Sequence, residues 1–152
     1  MLGGIYNYSN VKRWSRRVPG QDIFELDKIF IPVNQVNGTH WGCAVIYVQD
    51  KKIQFYDSLL KDGEEYLRDI FQYLKDEWED KRGGELPDAE QWTLITTRNC
   101  TPMQHNSFDC GVFTCMFADF ISMGYDLAFN QAHIDYCRNR ILRSVLNDAI
   151  ID

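Results

Sequence analysis

Residues 41–56 read WGCAVIYVQDKKIQFY, and this stretch decides the fold. Its first eight residues are rich in β-branched, aromatic and other apolar side chains, which favours a strand. The polar triplet QDK at 49–51 ends that run. The last five residues then alternate between polar and apolar, with Ile53 and Phe55 on one side. The two runs therefore predict a β-hairpin.

The elements on either side of this hairpin indicate the fold class. Short apolar runs predict further strands at 29–33 and 92–96. Apolar residues at helical spacing predict helices from Ser9 to Arg17, after Gly63, from about Cys110 to Met123 with Gly124 as a cap, and from about Gln131 to Ala149. The charged, Gly-rich segment 80–88 is expected to be an exposed loop. Strands and helices do not alternate regularly, so we predict an α+β fold.

Length and composition narrow the function classes. The chain has 152 residues, of which 45% are hydrophobic, and it carries a formal net charge of −6. We expect one domain over 1–152 with ample material for a core. The acidic balance argues against nucleic-acid binding. No secretory signal or membrane-spanning run is visible, so a membrane partner is not expected.

The cysteine pattern argues against a disulfide scaffold. Five cysteines stand at positions 43, 100, 110, 115 and 137. The number is odd and no C-x-x-C pair occurs, so neither a disulfide framework nor a zinc ribbon is indicated. We therefore expect no metal and no cofactor. Reduced thiols fit a cytoplasmic or nuclear location.

Cys110 is a candidate nucleophile because it begins a predicted helix. The positive end of a helix dipole stabilises an anion, and the thiolate is the reactive form of cysteine. Gly111 next to it would let a substrate backbone approach closely. Taken alone, however, Cys110 is better explained as a buried packing residue, because free cysteines are commonly buried.

His40 and Asp57 are candidates for the base and for its orienting partner. His40 opens the first hairpin strand after the turn Asn37-Gly38-Thr39, and Asp57 ends the second. In an antiparallel pair these ends lie together, and a carboxylate could fix the imidazole tautomer. Taken alone, His40 is better explained as a surface histidine beside a turn, and Asp57 could be a turn-forming residue before Ser58. His105 shares the loop of Cys110 and is poorly placed as a base, and His133 is expected to be a polar helix residue.

Gln104 lies six residues before Cys110. Acyl transfer builds negative charge on a carbonyl oxygen, which a side-chain amide and the backbone N–H of the nucleophile could stabilise together. The alternative is an ordinary loop glutamine.

The combination of these residues resembles a known family. His40-Trp41, Asp57 within Tyr56-Asp57-Ser58-Leu59, Gln104 and Asp109-Cys110-Gly111 occur in the order and spacing of the ubiquitin-like-protein-specific proteases. These are SUMO proteases of the Ulp/SENP type, related to the adenovirus protease. The resemblance extends from about Asn10 to Ala149 and includes LDKIFIPVN at 26–34.

The resemblance implies a papain-like α+β fold in which helices pack on a mixed sheet. It also implies that His40 is the base, Asp57 its partner, Cys110 the nucleophile and Gln104 the oxyanion donor. Trp41 would cover the channel that holds a modifier's C-terminal Gly-Gly. A SUMO-like modifier would be the partner of a monomeric enzyme. Two alternatives stay open: a protease for another ubiquitin-like modifier, and a weakly active module that binds modifiers.

Two departures from the family pattern stand out. Family catalytic domains carry further elements before the segment that matches residues 5–17, so we expect an N-terminally truncated catalytic domain. His105 and Ser107 occupy positions where the family often has Pro and Gly, and they flank the predicted oxyanion loop.

Overall fold

A computed structural model describes residues 6–35 and 38–150. Short 3₁₀ segments join several of its helices and strands. The main elements in chain order are α1 (Tyr8–Val11), β1 (Lys28–Asn34), β2 (Trp41–Tyr47), β3 (Lys52–Tyr56), α2 (Glu64–Arg82), β4 (Thr93–Ile95), α3 (Cys110–Ser122) and α4 (Ile134–Asn147).

The strands form one mixed sheet in the order β1-β2-β3-β4. β1 and β3 each pair antiparallel with β2, and β4 runs parallel to β3. The predicted hairpin is confirmed, because Tyr47 pairs with Lys52 and Cys43 pairs with Tyr56. The strands predicted at 29–33 and 92–96 are confirmed as β1 and as the shorter β4.

Helices cover both faces of this sheet. Successive side chains of a strand point to opposite faces. Ala44 and Ile46 of β2 accordingly join the core beneath α2, while Cys43 and Val45 join the core beneath α3 and α4. The near-continuous apolar run of β2 is therefore explained by burial on both sides. The α+β prediction is confirmed.

α3 is a buried helix, as its sequence predicts. Phe113 and Phe117 are fully buried and pack against Tyr56 and Phe129 around the second core. The helix ends at Ser122, and Gly124 follows with a φ of 74°, as expected of a glycine that ends a helix. No helix in the described ranges is both long and apolar enough to cross a membrane.

The predicted helix from Ser9 to Arg17 is wrong as a continuous element. Asn7 caps α1 by accepting a hydrogen bond from the Ser9 N–H, so the helix begins earlier than predicted. α1 ends at the buried Val11, and residues 14–17 form a separate 3₁₀ turn.

Two other boundaries differ from the sequence prediction. α2 extends into the segment predicted as an exposed loop at 80–88, and Leu86 of that segment is buried. The last helix is preceded by a 3₁₀ turn over Gln131–His133. Its apolar stripe is buried only at the start, and Val145 near its end is 74% exposed. The reason is that α4 packs on α3 through its first turns.

Gly63 marks the start of α2 and touches the core. It adopts a φ of 70°, and a Cβ added there would lie 2.1 Å from the Phe55 ring. We expect Gly63→Ala to cost about 3 kcal/mol, because a left-handed alanine costs about 1–2 kcal/mol and overpacking about 1–3 kcal/mol more. Urea unfolding followed by tryptophan fluorescence measures the change.

Gly124→Ala is the matched control for this prediction. Gly124 has a φ of 74°, but no atom lies within 4 Å of its added Cβ. Gly124→Ala should therefore lower the free energy of unfolding only by the cost of a left-handed alanine. Equal losses of stability at the two positions would contradict the role of the Phe55 contact.

Candidate active site

The hairpin brings His40 and Asp57 together, as its antiparallel pairing predicts. His40 immediately precedes β2 and Asp57 immediately follows β3. The Nε2 atom of His40 lies 2.9 Å from Oδ1 and 3.0 Å from Oδ2 of Asp57, and both side chains are buried. An ionised carboxylate only accepts hydrogen bonds, so Nε2 carries the proton and Nδ1 is the free acceptor of the neutral ring. Asn37 of the predicted turn lies outside the described residues.

Two further groups donate hydrogen bonds to the Asp57 carboxylate. The Leu59 N–H donates to Oδ1 at 2.6 Å, and the side-chain amide of the buried Gln35 donates to Oδ2. The Gln35 N–H also donates to the His40 carbonyl at 2.8 Å. Gln35 therefore holds both members of the pair.

Sequence reasoning missed Gln35, although one signal for it exists. A Cβ added at Gly42 would lie 3.1 Å from Gln35 Nε2 and 2.7 Å from the Phe55 ring. Gly42 leaves room for the amide beside the hairpin. A glycine inside an otherwise apolar strand can mark such a close approach.

Cys110 is the first residue of α3 and is 6% exposed. The helix packs on the two strands that His40 and Asp57 border. Cys43 and Tyr56, close in sequence to His40 and Asp57, share a core cluster with Val112 and other residues of α3. A helix N-terminus favours a thiolate at this position.

The surroundings of three other cysteines disfavour a thiolate. All five thiols are free. Burial raises the pKa of Cys43 to about 12 and also raises the pKa of Cys137. Cys115 is exposed as a residue, but desolvation of its thiol and the nearby Asp119 carboxylate raise its pKa. Cys100 is exposed and lies in the loop after β4. Of the five cysteines, Cys110 is the one that begins a helix.

Gln104 is buried and fixed at both ends of its amide. Its Oε1 accepts a 2.6 Å hydrogen bond from the Ser58 hydroxyl, and its Nε2 donates to the Asn106 carbonyl. The Gln104 N–H donates to the Ser58 carbonyl at 3.0 Å. The predicted oxyanion loop is thus attached to the residue that follows Asp57.

Asp109 anchors the same loop to α4 and its preceding turn. Its buried carboxylate accepts hydrogen bonds from Asn106 at 2.7 Å, from Gln131 at 2.8 Å and from Arg138. Burial tends to raise the pKa of Asp109, but these three donors outweigh it and hold that pKa below its usual range. Gln131 also accepts from the His105 N–H at 2.8 Å, which fixes the loop a second time.

The remaining sequence candidates divide into one that borders the site and two that lie outside it. Trp41 follows His40 and is 40% exposed, so part of its ring is open to a ligand. The side chain of His105 is exposed, and His133 accepts from the Asn130 N–H with Nδ1 as part of a helix cap. Within residues 6–35 and 38–150, no group of three or more His, Cys, Asp or Glu side chains could hold a metal ion.

The structure combines a mixed sheet, a buried histidine–aspartate pair at the end of its hairpin, and a cysteine that begins a helix packed on that hairpin. Residues 3–149 match the Ulp1 protease family, C-terminal catalytic domain. The chain therefore belongs to the Ulp1 protease family.

Similar proteins agree with this assignment. The chain is 38% identical over 142 residues to ubiquitin-like-specific protease 1A of Arabidopsis thaliana, covering 93% of this chain and 28% of that protein. It is 31% identical over 145 residues to human sentrin-specific protease 2, covering 95% and 24%. The chain thus spans about a quarter of the length of these curated relatives.

A solved structure shows the same fold. The C-terminal Ulp1 protease domain in complex with Smt3, the yeast ortholog of SUMO, superposes with a TM-score of 0.76 at 30% identity. The superposition covers 95% of this chain and 62% of that one. The papain-like α+β fold of the Ulp type is confirmed.

The lowered pKa of Asp109 predicts how stability depends on pH. A carboxylate with a depressed native pKa stabilises the fold above its unfolded pKa of about 3.9, and this stabilisation is lost as the pH falls through the native value. Asp109→Asn should therefore cost about 1–3 kcal/mol at pH 7, from hydrogen bonds to a charged group. The difference in the free energy of unfolding between this variant and wild type should narrow below a pH of about 4. Urea unfolding at several pH values measures it.

Asp50→Asn serves as the control for this pH series. Asp50 lies 3.7 Å from Lys52 with an exposed side chain, so its ion pair contributes little. This variant should follow wild type throughout the pH range. A gap for Asp109→Asn that stays constant down to pH of about 2 would show that its pKa is not depressed.

Proposed function

We propose that this protein is a cysteine protease and isopeptidase that cleaves after the C-terminal Gly-Gly of a SUMO-like modifier. The observation that carries the proposal is the buried His40–Asp57 pair at the end of the hairpin that packs under the helix begun by Cys110. Its activity would serve removal of the modifier from lysine, maturation of a precursor, or both.

In the first half of the reaction, Nδ1 of His40 takes the proton of the Cys110 thiol, which forms a thiolate and an imidazolium. The thiolate then attacks the carbonyl carbon of the terminal glycine. The carbonyl oxygen becomes an oxyanion, which accepts hydrogen bonds from the Gln104 side chain and the Cys110 backbone N–H. The C–N bond then breaks, and the imidazolium of His40 gives its Nδ1 proton to the departing amine. A thioester between Cys110 and the modifier remains.

In the second half, water cleaves that thioester. Nδ1 of His40 takes a proton from water while the water oxygen attacks the thioester carbonyl. Collapse of the second tetrahedral intermediate breaks the C–S bond and releases the modifier as a carboxylate. Asp57 accepts the Nε2–H throughout, which fixes the tautomer and stabilises the imidazolium.

Trp41 gives the site its preference for glycine. Its partly exposed ring lies next to His40 in sequence and offers a flat apolar wall. Glycines have no side chain, so they pass beneath such a wall where larger residues would collide. This proposal agrees with the relative whose protease domain was solved with Smt3. We further propose a nuclear or cytoplasmic location and action as a monomer.

Cys110→Ser tests the assignment of the nucleophile. A serine hydroxyl is a much weaker nucleophile in a site built for a thiolate, so cleavage of a fluorogenic SUMO C-terminal reporter should fall by at least about 10³-fold. Thermal unfolding should show an intact fold. Cys115→Ser is the matched control and should retain activity. Turnover of the Cys110→Ser variant at the wild-type rate would exclude Cys110.

Gln35→Met tests the support of Asp57. Methionine is similar in size but donates no hydrogen bond, so the carboxylate loses one of its donors. We expect kcat to fall about tenfold with KM nearly unchanged, since a misplaced base slows chemistry rather than binding. Gln54→Met removes another buried glutamine of the same sheet region and should leave kcat within about twofold. Equal effects of the two variants would contradict the role of Gln35.

A panel of Gly-Gly-ended vinyl-sulfone probes identifies the modifier. SUMO, ubiquitin and other ubiquitin-like proteins should be tested side by side, with labelling located by mass spectrometry. Covalent labelling of Cys110 by the SUMO probe supports the proposal. Labelling by a different modifier reassigns the substrate, and binding without labelling favours a module that only holds the modifier.

A further inference from the structure

We infer that Ser58 is a positioning residue that sets the orientation of the Gln104 amide. The inference rests on the proposed function, because it concerns the donor that stabilises the oxyanion. Ser58 has no solvent exposure and directly follows Asp57. It contacts Gln104 twice across 46 residues of sequence, once through its hydroxyl and once through its backbone carbonyl.

The Asn106 carbonyl settles which way the amide points. A carbonyl oxygen only accepts hydrogen bonds, so the group of Gln104 that faces Asn106 has to be the NH₂. The Oε1 atom then faces Ser58, whose hydroxyl has to be the donor in the 2.6 Å contact. One N–H of the amide donates to Asn106, and within the described residues the other has no acceptor, so it is available to the oxyanion.

Without the Ser58 hydroxyl, the amide would lose the contact that holds its oxygen. The oxygen would be buried and unpaired, and rotation of the side chain would bring it a new donor. Such a rotation would turn the remaining Gln104 N–H away from the oxyanion, or would place the amide oxygen there, where it would repel the oxyanion. Binding of the modifier would not change, because Ser58 is fully buried.

The backbone around Ser58 is held in place independently of its side chain. The Leu59 N–H donates to the Asp57 carboxylate at 2.6 Å, and the Leu60 N–H donates to the Asp57 carbonyl at 3.0 Å. Leu60 adopts a φ of 57°, which closes a tight turn. The dipeptide Asp57-Ser58 thus serves both halves of the site, since Asp57 orients His40 and Ser58 orients Gln104.

A double-mutant cycle tests this inference. Gln104→Ala should lower kcat by about 10²–10³-fold, the usual loss of one oxyanion donor. Ser58→Ala should lower kcat about tenfold with KM within about twofold, because part of the donor population remains correctly oriented. Adding Ser58→Ala to Gln104→Ala should cause no further loss. A loss of the same factor in both backgrounds would overturn the inference, as would an unchanged kcat in Ser58→Ala.

Alkylation of Cys110 by iodoacetamide separates positioning of Gln104 from general damage to the site. This reaction displaces iodide from a saturated carbon and forms no oxyanion, so Ser58→Ala should leave its rate unchanged. Mass spectrometry of the Cys110 peptide distinguishes it from the exposed Cys100 and Cys115. A parallel fall in alkylation and kcat would contradict the inference. Ser58→Cys keeps the side-chain volume with a weak donor and should resemble Ser58→Ala.

A spectroscopic measurement decides the role of Ser58 even without turnover. In protein labelled with ¹⁵N-glutamine, the Gln104 side-chain amide is assigned by its loss in Gln104→Ala. Its order parameter should be high in wild type and clearly lower in Ser58→Ala. An unchanged order parameter overturns the inference. Lack of turnover of every modifier reporter by wild-type protein contradicts the proposed function instead.

Discussion

The site depends on a carboxylate that has no contact with solvent. Burying an unpaired charge is so unfavourable that a buried carboxylate needs several donors to remain ionised. Asp57 receives them from His40, Gln35 and the Leu59 N–H. Gln35 and His40 come from the loop between β1 and β2, and Leu59 comes from the turn after β3. The hydrogen bonds that stabilise one buried charge therefore hold two separate loops together.

The two faces of the sheet contribute differently to this site. The face beneath α2 supplies stability through fully buried residues such as Ile53, Phe55 and Leu67. On the other face, β2 and β3 pack on the mostly apolar helix α3, which begins with Cys110. α4 contributes through Arg138, which holds Asp109 beside Cys110.

The sequence predicts what depends on periodicity and on chain order. The hairpin follows from the pattern of 41–56, and antiparallel pairing allows His40 and Asp57 to meet, although the pattern does not fix the register. The partners Gln35 and Ser58 could not be predicted in this way. Their contacts join irregular segments 22 and 46 residues apart, where no repeating pattern relates one side chain to another. The break in the helix between Val11 and Trp14 could not be predicted either, because the apolar spacing continues across it.

Asp57 and Asp109 are both buried, but the partners of their carboxylates differ in charge, and the proposed reaction explains this difference. Among the described residues, the donors to Asp57 besides His40 are the neutral Gln35 amide and the Leu59 N–H, so in the proposed reaction its negative charge stays available to stabilise an imidazolium on His40. A cation in the place of Gln35 would cancel that effect. Asp109, by contrast, is paired with the guanidinium of Arg138. Its charge would otherwise oppose a thiolate on the adjacent Cys110. In the proposed reaction, pairing Asp109 with Arg138 while Asp57 keeps neutral donors would let a base that becomes positive and a nucleophile that becomes negative share one site.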